Sequence, residues 1–226
     1  MSAERLKLFF DRGALCTLSA RELAERCQSI KLLLFDWDGV FNTGHKEGGT
    51  SSSFSEVDSM GVNLLRFGLY LQNGNLPKSF ILSGASNSIA KSFAEREHFD
   101  GVYLNFKNKQ LVLDRLLSQH ALAPENVAFF YDDVLDLQLA ASVGLNIFLG
   151  GERSPALLRF LKERSILQLQ TANEGGMSGL REACDMLLTA MGKYESAVDE
   201  RMTFSEKYAH YWDQRQSLST HFEKAQ

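Results

Sequence analysis

The sequence predicts an α/β fold organised around a doubly wound parallel sheet, and three observations carry that prediction. Short segments that are apolar on successive residues recur along the chain: KLLLFD (31–36), SFILSG (79–84), NVAFFYDD (126–133) and GLNIFLG (144–150), with a further strand expected around 101–104. Continuous apolar runs of this length suit strands covered on both faces, whereas half-exposed strands alternate. Between the runs lie stretches of helical character, at 59–73, 86–97, 107–120 and 134–142, and strand–helix alternation of this kind builds a parallel sheet with helices on both faces. Finally, acidic residues stand at the C-terminal ends of the runs, where open α/β sheets bind their ligands.

The remaining segments fit around this sheet. In residues 1–29, a charged helix-favouring extension, Ser19 precedes Glu22 at N-cap spacing and Leu23 lies four residues before Cys27. Residues 42–58, with Gly44, Gly48, Gly49 and the run Ser51 to Ser53, are too few for a cap domain and read as a hairpin flap beside the first strand. An amphipathic helix is expected over 176–191 and another over 194–222, where Phe204, Tyr208, Tyr211 and Trp212 recur at helical spacing to cover a core or subunit face.

Composition narrows the function. A chain of 226 residues with 44% hydrophobic content supports one sizeable core with short appendages. With 24 Lys and Arg against 28 Asp and Glu, net charge −4, it lacks the basic excess of a general binder of nucleic acid or anionic membrane. Cys16, Cys27 and Cys184 show no CxxC spacing, as expected of reduced thiols in a cytoplasmic protein. No stretch approaches the ~18 apolar residues of a membrane span.

The chemistry concentrates in two acidic groups. Phe35-Asp36-Trp37-Asp38-Gly39-Val40 ends an apolar strand in two carboxylates one residue apart. Two acids there repel each other, and burial raises the pKa of either unless a cation or hydrogen bonds compensate. Tyr131-Asp132-Asp133-Val134-Leu135-Asp136 places three more after another strand. A helix N-terminus accounts for one or two acids, but not for three converging on the edge that carries Asp36 and Asp38. Carboxylates are the hard oxygen ligands that magnesium takes. Ser83 and Gly84 end the strand at 79–84, and Lys109 opens the next helix; a hydroxyl, backbone amides and an ammonium can together hold a phosphoryl group. His45 reads as an exposed flap residue, and Trp37 as packing that shapes the acidic loop.

In the order DxDG, strand-end Ser, Lys, DDxxD, the sequence resembles the haloacid dehalogenase superfamily. The resemblance implies a Rossmann-like phosphatase in which Asp36 attacks phosphorus to form an aspartyl-phosphate and Asp38 is the acid and base. It implies Mg2+ on Asp36, Asp132 and the backbone carbonyl of Asp38, with Asp133 and Asp136 orienting the metal and Ser83, Gly84 and Lys109 holding the phosphoryl oxygens. DGVFNTG (38–44), VDSMGVNLL (57–65), NKQLVLDRLL (108–117), the segment 123–145 and EGGMSGLREACDMLL (174–188) look like the capless branch that acts on 3-deoxy-octulosonate 8-phosphate or acylneuraminate 9-phosphates. That likeness implies a homotetramer, with Asp58 and Arg181 as substrate or subunit contacts. The implied division is a helical extension at 1–29, a haloacid dehalogenase-like hydrolase domain at 30–193 and a helical extension at 194–226. The chain departs from the branch at Val57 and Ser59, at Ala85 where an arginine is common, and at Tyr131 where glycine is common. Those positions bear on substrate choice and leave open another sugar phosphate, a nucleotide, or a non-catalytic oligomeric binding module that keeps the fold.

Overall fold

In a computed structural model that describes residues 2–46, 52–151 and 154–225, the apolar runs are strands of one eight-stranded sheet. The strands are β1 (Leu15–Cys16), β2 (Leu32–Phe35), β3 (Lys78–Ser83), β4 (Gly101–Leu104), β5 (Val127–Tyr131), β6 (Leu145–Phe148), β7 (Leu169–Gln170) and β8 (His221–Lys224). The helices are α1 (Ser2–Phe10), α2 (Ala20–Ser29), α3 (Glu56–Asn73), α4 (Ser88–Arg96), α5 (Gln110–His120), α6 (Leu137–Ala140), α7 (Pro155–Glu163), α8 (Gly179–Ala190), α9 (Tyr194–Met202) and α10 (Glu206–Gln216).

Strand order is β1-β7-β6-β5-β2-β3-β4-β8, parallel throughout except for the antiparallel edge pair β1–β7. The chain leaves β2 toward β3 and β4, then returns to lay β5 on the other side of β2. That reversal opens a crevice at the C-terminal ends of β2 and β5, where doubly wound sheets bind ligands. Alternate side chains of one strand serve opposite faces. Leu33 and Phe35 join the larger core, which includes Val62, Leu65, Phe67, Leu180, Cys184 and Leu187 from α3 and α8. Leu32 and Leu34 join a second core with Val112 and Leu116 of α5 and Leu161 of α7.

Several expectations are refined by local chemistry. The capping box of α2 is present: Ser19 Oγ accepts from Glu22 N at 3.2 Å, and the Ser19 amide donates to Glu22 Oε2 at 2.8 Å. Both flanks add strands to the sheet edges as well as helices, through β1 and β8. The single helix expected over 194–222 is two helices and a strand. Its break lies at Phe204, left-handed at φ 47°, after which the Ser205 hydroxyl caps α10 by accepting from Tyr208 N. Tyr208 and Tyr211 pack their rings 5.0 Å from Phe67 in the core, whereas Phe204 is exposed. The helix expected over 134–142 is a 3₁₀ turn at Val134–Asp136 followed by the single turn of α6. Of the flap, residues 42–46 and 52–55 carry no strand, and its centre, including Gly48, Gly49 and Ser51, lies outside the described residues. Among the described residues, no helix is long and apolar enough to cross a membrane.

Candidate active site

Asp36 follows the last residue of β2, and its amide donates to Phe130 O, which keeps it in register with β5 as the chain leaves the sheet. The next turn is held by Asn42, whose Oδ1 accepts from the amides of Gly39 and Gly44 while its Nδ2 donates to Trp37 O. Gly39 has φ 81°, and a Cβ built there would lie 1.8 Å from Asp132 Oδ2. Only glycine lets the two acidic loops approach this closely. The turn is buttressed by Gly175, where a Cβ would fall 1.8 Å from the Gly39 carbonyl oxygen. Trp37 is fully buried, stacked on Phe41 with centroids 4.8 Å apart, and so shapes the loop from behind.

The two loops, the end of β3 and the segment between β4 and α5 line a cleft of about 310 Å³. Asp36, Asp38, Ser83, Gly84, Lys109, Asp132, Asp133 and Asp136 all line it. Lys109, at the N-cap of α5 and only 4% exposed, donates through Nζ to Asp36 Oδ1 at 2.6 Å and to Asp136 Oδ1 at 2.5 Å. Ser83 is buried at the end of β3, and its Oγ accepts from the Ala85 amide at 3.2 Å. Asp133 is exposed and caps the following turn, accepting from Val134 N at 2.7 Å.

The electrostatics of this floor are unbalanced. Burial pushes the Asp36 carboxyl up, against the opposing pull of Lys109. Burial, with the Asp36 charge beside it, pushes Asp136 up to about 7. For Lys109 burial works downward, but its two carboxylates outweigh burial and hold the ammonium firmly protonated. One ammonium thus serves two buried acids, while Asp36, Asp132 and Asp136 each offer an oxygen within 4.8 Å of the others. A divalent cation fits both the oxygen donor set and the surplus of the Asp36 and Asp136 carboxylates over Lys109.

Two residues expected as substrate or subunit contacts lie outside the cleft lining. Asp58 is fully buried, and its Oδ1 accepts from the Arg181 amide at 2.8 Å, supplying the cap of α8 that Ser178 does not provide. Arg181 turns its guanidinium to Asp185 at 2.9 Å. Conversely, the cleft recruits residues that sequence reasoning passed over. Lys46 pairs with Asp38 Oδ2 at 2.9 Å, Lys107 donates to Gly84 O, and buried Ser52 donates to Asp38 Oδ1 at 2.5 Å. His45 is exposed beside Thr43.

No family model matches the chain. A 3-deoxy-D-manno-octulosonate 8-phosphate phosphatase of Salmonella typhi is 28% identical over 176 residues, 76% of this chain and 86% of that protein. A solved structure from Legionella pneumophila, assigned to the haloacid dehalogenase superfamily as a subfamily III A hydrolase, superposes with TM-score 0.66 at 27% identity, covering 81% of this chain and 95% of that one. In sequence and in fold the chain is thus similar to the haloacid dehalogenase superfamily. Within that superfamily its kinship is with phosphoric monoester hydrolases. The fold also matches a 3-deoxy-D-manno-octulosonate 8-phosphate phosphatase from Moraxella catarrhalis, at TM-score 0.66 and 21% identity over 82% of this chain and 99% of that one; that structure holds magnesium, phosphate and a KDO molecule.

Proposed function

We propose that this protein is a magnesium-dependent phosphatase working through an aspartyl-phosphate on a sugar-acid phosphate of the 3-deoxy-octulosonate 8-phosphate or acylneuraminate 9-phosphate type. The observation that carries the reading is the convergence of Asp36, Asp132 and Asp136 around buried Lys109, in a cleft that Asp38 and Ser83 also line. Asp36, Asp132 and the backbone carbonyl of Asp38 would hold the metal, with Asp133 and Asp136 orienting it. Bound there, a magnesium ion offsets the excess carboxylate charge and the charge of the phosphoryl group.

The chain's own residues do the rest. Lys109, the Ser83 hydroxyl and the backbone at Gly84 hold the non-bridging phosphoryl oxygens. A carboxylate oxygen of Asp36 attacks phosphorus, and the bond from phosphorus to the substrate's bridging oxygen breaks as Asp38 gives that oxygen a proton. Asp38, now ionised, takes a proton from the water that attacks the aspartyl-phosphate. The bond between phosphorus and Asp36 then breaks, releasing phosphate and restoring both acids.

The sugar-acid assignment draws on the named relatives and on a cleft whose mouth carries Lys46 and Lys107, cations suited to an anionic substrate. A homotetramer and a cytoplasmic location belong to the same proposal; the first is supported by a flap too short to form a cap domain, the second by three free thiols. Ala85, which lines the cleft without a cation, favours a second reading in which another sugar phosphate or a nucleotide is the substrate. Phosphate release from a panel of sugar-acid, hexose and nucleotide phosphates, with magnesium and with chelator, separates the readings. Selective magnesium-dependent release from an octulosonate or acylneuraminate phosphate is expected; release from other esters alone would remove the substrate, and no release from any would remove the activity.

A further inference from the structure

Ser52 sits in the second arm of the flap, 3% exposed, and its hydroxyl makes four hydrogen bonds. Trp37 Nε1 donates to Ser52 Oγ at 3.1 Å, Asn42 Nδ2 at 3.2 Å and Asn87 Nδ2 at 2.8 Å, and Oγ itself lies 2.5 Å from Asp38 Oδ1. The polarity of this hub is fixed from outside. An indole N–H only donates. The Asn42 amide is oriented by its Oδ1, which accepts from the Gly39 and Gly44 amides, and the Asn87 amide by its Oδ1, which accepts from Ile89 N and Ala90 N at the start of α4. Three N–H groups therefore share the lone pairs of Ser52 Oγ. Its own proton has one destination, Asp38 Oδ1.

That arrangement discriminates between the two oxygens of Asp38. Oδ1 receives the Ser52 proton and has no acceptor on the serine to which it could donate. Oδ2 faces the cleft, where Lys46 reaches it at 2.9 Å. We propose that Ser52 is the positioning residue of the reaction: it holds the Asp38 carboxyl by Oδ1 and so presents Oδ2 to the cleft. The inference rests on the acid–base role proposed above for Asp38. During aspartyl-phosphate formation Oδ2 is the oxygen from which the acid role proposed for Asp38 delivers a proton to the leaving oxygen as its bond to phosphorus breaks. In the second half Oδ2 takes a proton from the attacking water as the bond between phosphorus and Asp36 breaks. Ser52 neither gains nor loses a proton overall, and Asn87 and Trp37 extend the support into α4 and the core.

The test uses the full-length protein with magnesium, comparing Ser52→Ala and Asn87→Asp with the parent. Asn87→Asp is nearly isosteric and keeps the acceptor that caps α4, but replaces a donor to Ser52 with an acceptor that draws the serine proton away from Asp38. The readout is kcat/KM for the best alkyl phosphate of the panel and for 2,4-dinitrophenyl phosphate, whose leaving group needs no proton. Both variants are expected to lose at least about tenfold more on the alkyl ester than on the activated one, since general acid catalysis contributes that much or more. In an Asp38→Asn background, Ser52→Ala should add nothing further. Equal losses on both esters, or an undiminished effect of Ser52→Ala beside Asp38→Asn, would overturn the inference. If Asp38→Asn itself treats the two esters alike, the acid–base assignment beneath it fails, which is a distinct result.

Discussion

Replacing Asp136 with asparagine is expected to stabilise the metal-free protein while weakening its hold on magnesium. Asp136 and Asp36 share a single ammonium, and Lys109 with one carboxylate already makes a matched buried pair. The second carboxylate is surplus until a cation arrives. Burial and the neighbouring Asp36 charge push Asp136 from its ordinary 3.8 to about 7. That difference corresponds to about 4 kcal/mol of folding free energy forgone once the group is ionised in both states. Because the folded pKa is the higher one, the penalty is absent below about pH 4, grows as pH rises toward 7 and is complete above it. Asparagine keeps an acceptor for Lys109 and carries no charge, so it removes the penalty. In chelator at pH 8 the variant should melt higher, by on the order of 5–10 °C for a gain of ~2–4 kcal/mol. The gain should fade between pH 7 and pH 5, where the parent carboxyl protonates itself. Thermal denaturation across that pH range, with chelator and with magnesium, reads both effects. A variant that melts lower than the parent at pH 8 in chelator would refute the reasoning, since Asp136 would then be a net stabilising partner of Lys109.

Other perturbations address neighbouring parts of the account. Lys109→Met leaves two buried acids with no cation between them, and in chelator at pH 8 it should cost about 3–5 kcal/mol in a denaturant melt. Asp36→Asn should lower phosphate release at least about a thousandfold while far-UV circular dichroism stays near the parent's and melting in chelator is not lowered, since Lys109 keeps Asp136; retained turnover would remove Asp36 as nucleophile. Asp58→Ala uncaps α8 and should cost about 0.5–2 kcal/mol of stability with KM unchanged, whereas a raised KM would restore Asp58 as a substrate contact. Gly175→Ala presses a methyl group onto the Gly39 carbonyl and should lower kcat along with about 1–3 kcal/mol of stability, measured by steady-state kinetics and melting on the same sample.

The legible parts of this molecule are those with a local signature. LLLF at 32–35 and VAFFY at 127–131 read as strands because they are apolar on every residue, and both are buried throughout. Asp36, Asp38, Asp132 and Asp136 were visible because acids at the ends of such strands need an explanation beyond stability. The two edge strands were not visible, since Leu15–Cys16 is two residues long and His221–Lys224 is mostly exposed, so neither leaves an apolar pattern. The break at Phe204 is set by the Ser205 cap and the packing of Tyr208, which helical spacing of aromatics does not reveal. Asp58 was expected as a contact residue only through the likeness to the capless branch; its burial depends on the α8 N-terminus, 123 positions later, which no local pattern reveals. Ser52 was hidden among neighbouring serines, because its partners Trp37, Asn42 and Asn87 are assembled only by the tertiary fold.

The most direct test of the central claim is mass spectrometry of acid-quenched protein during turnover of a phosphate ester with magnesium, reading the peptide that contains residues 32–46. The account predicts a phosphoryl adduct on Asp36, formed with ester, absent in chelator and absent from Asp36→Asn. Steady phosphate release with no adduct on Asp36, or an adduct on another residue, would contradict it.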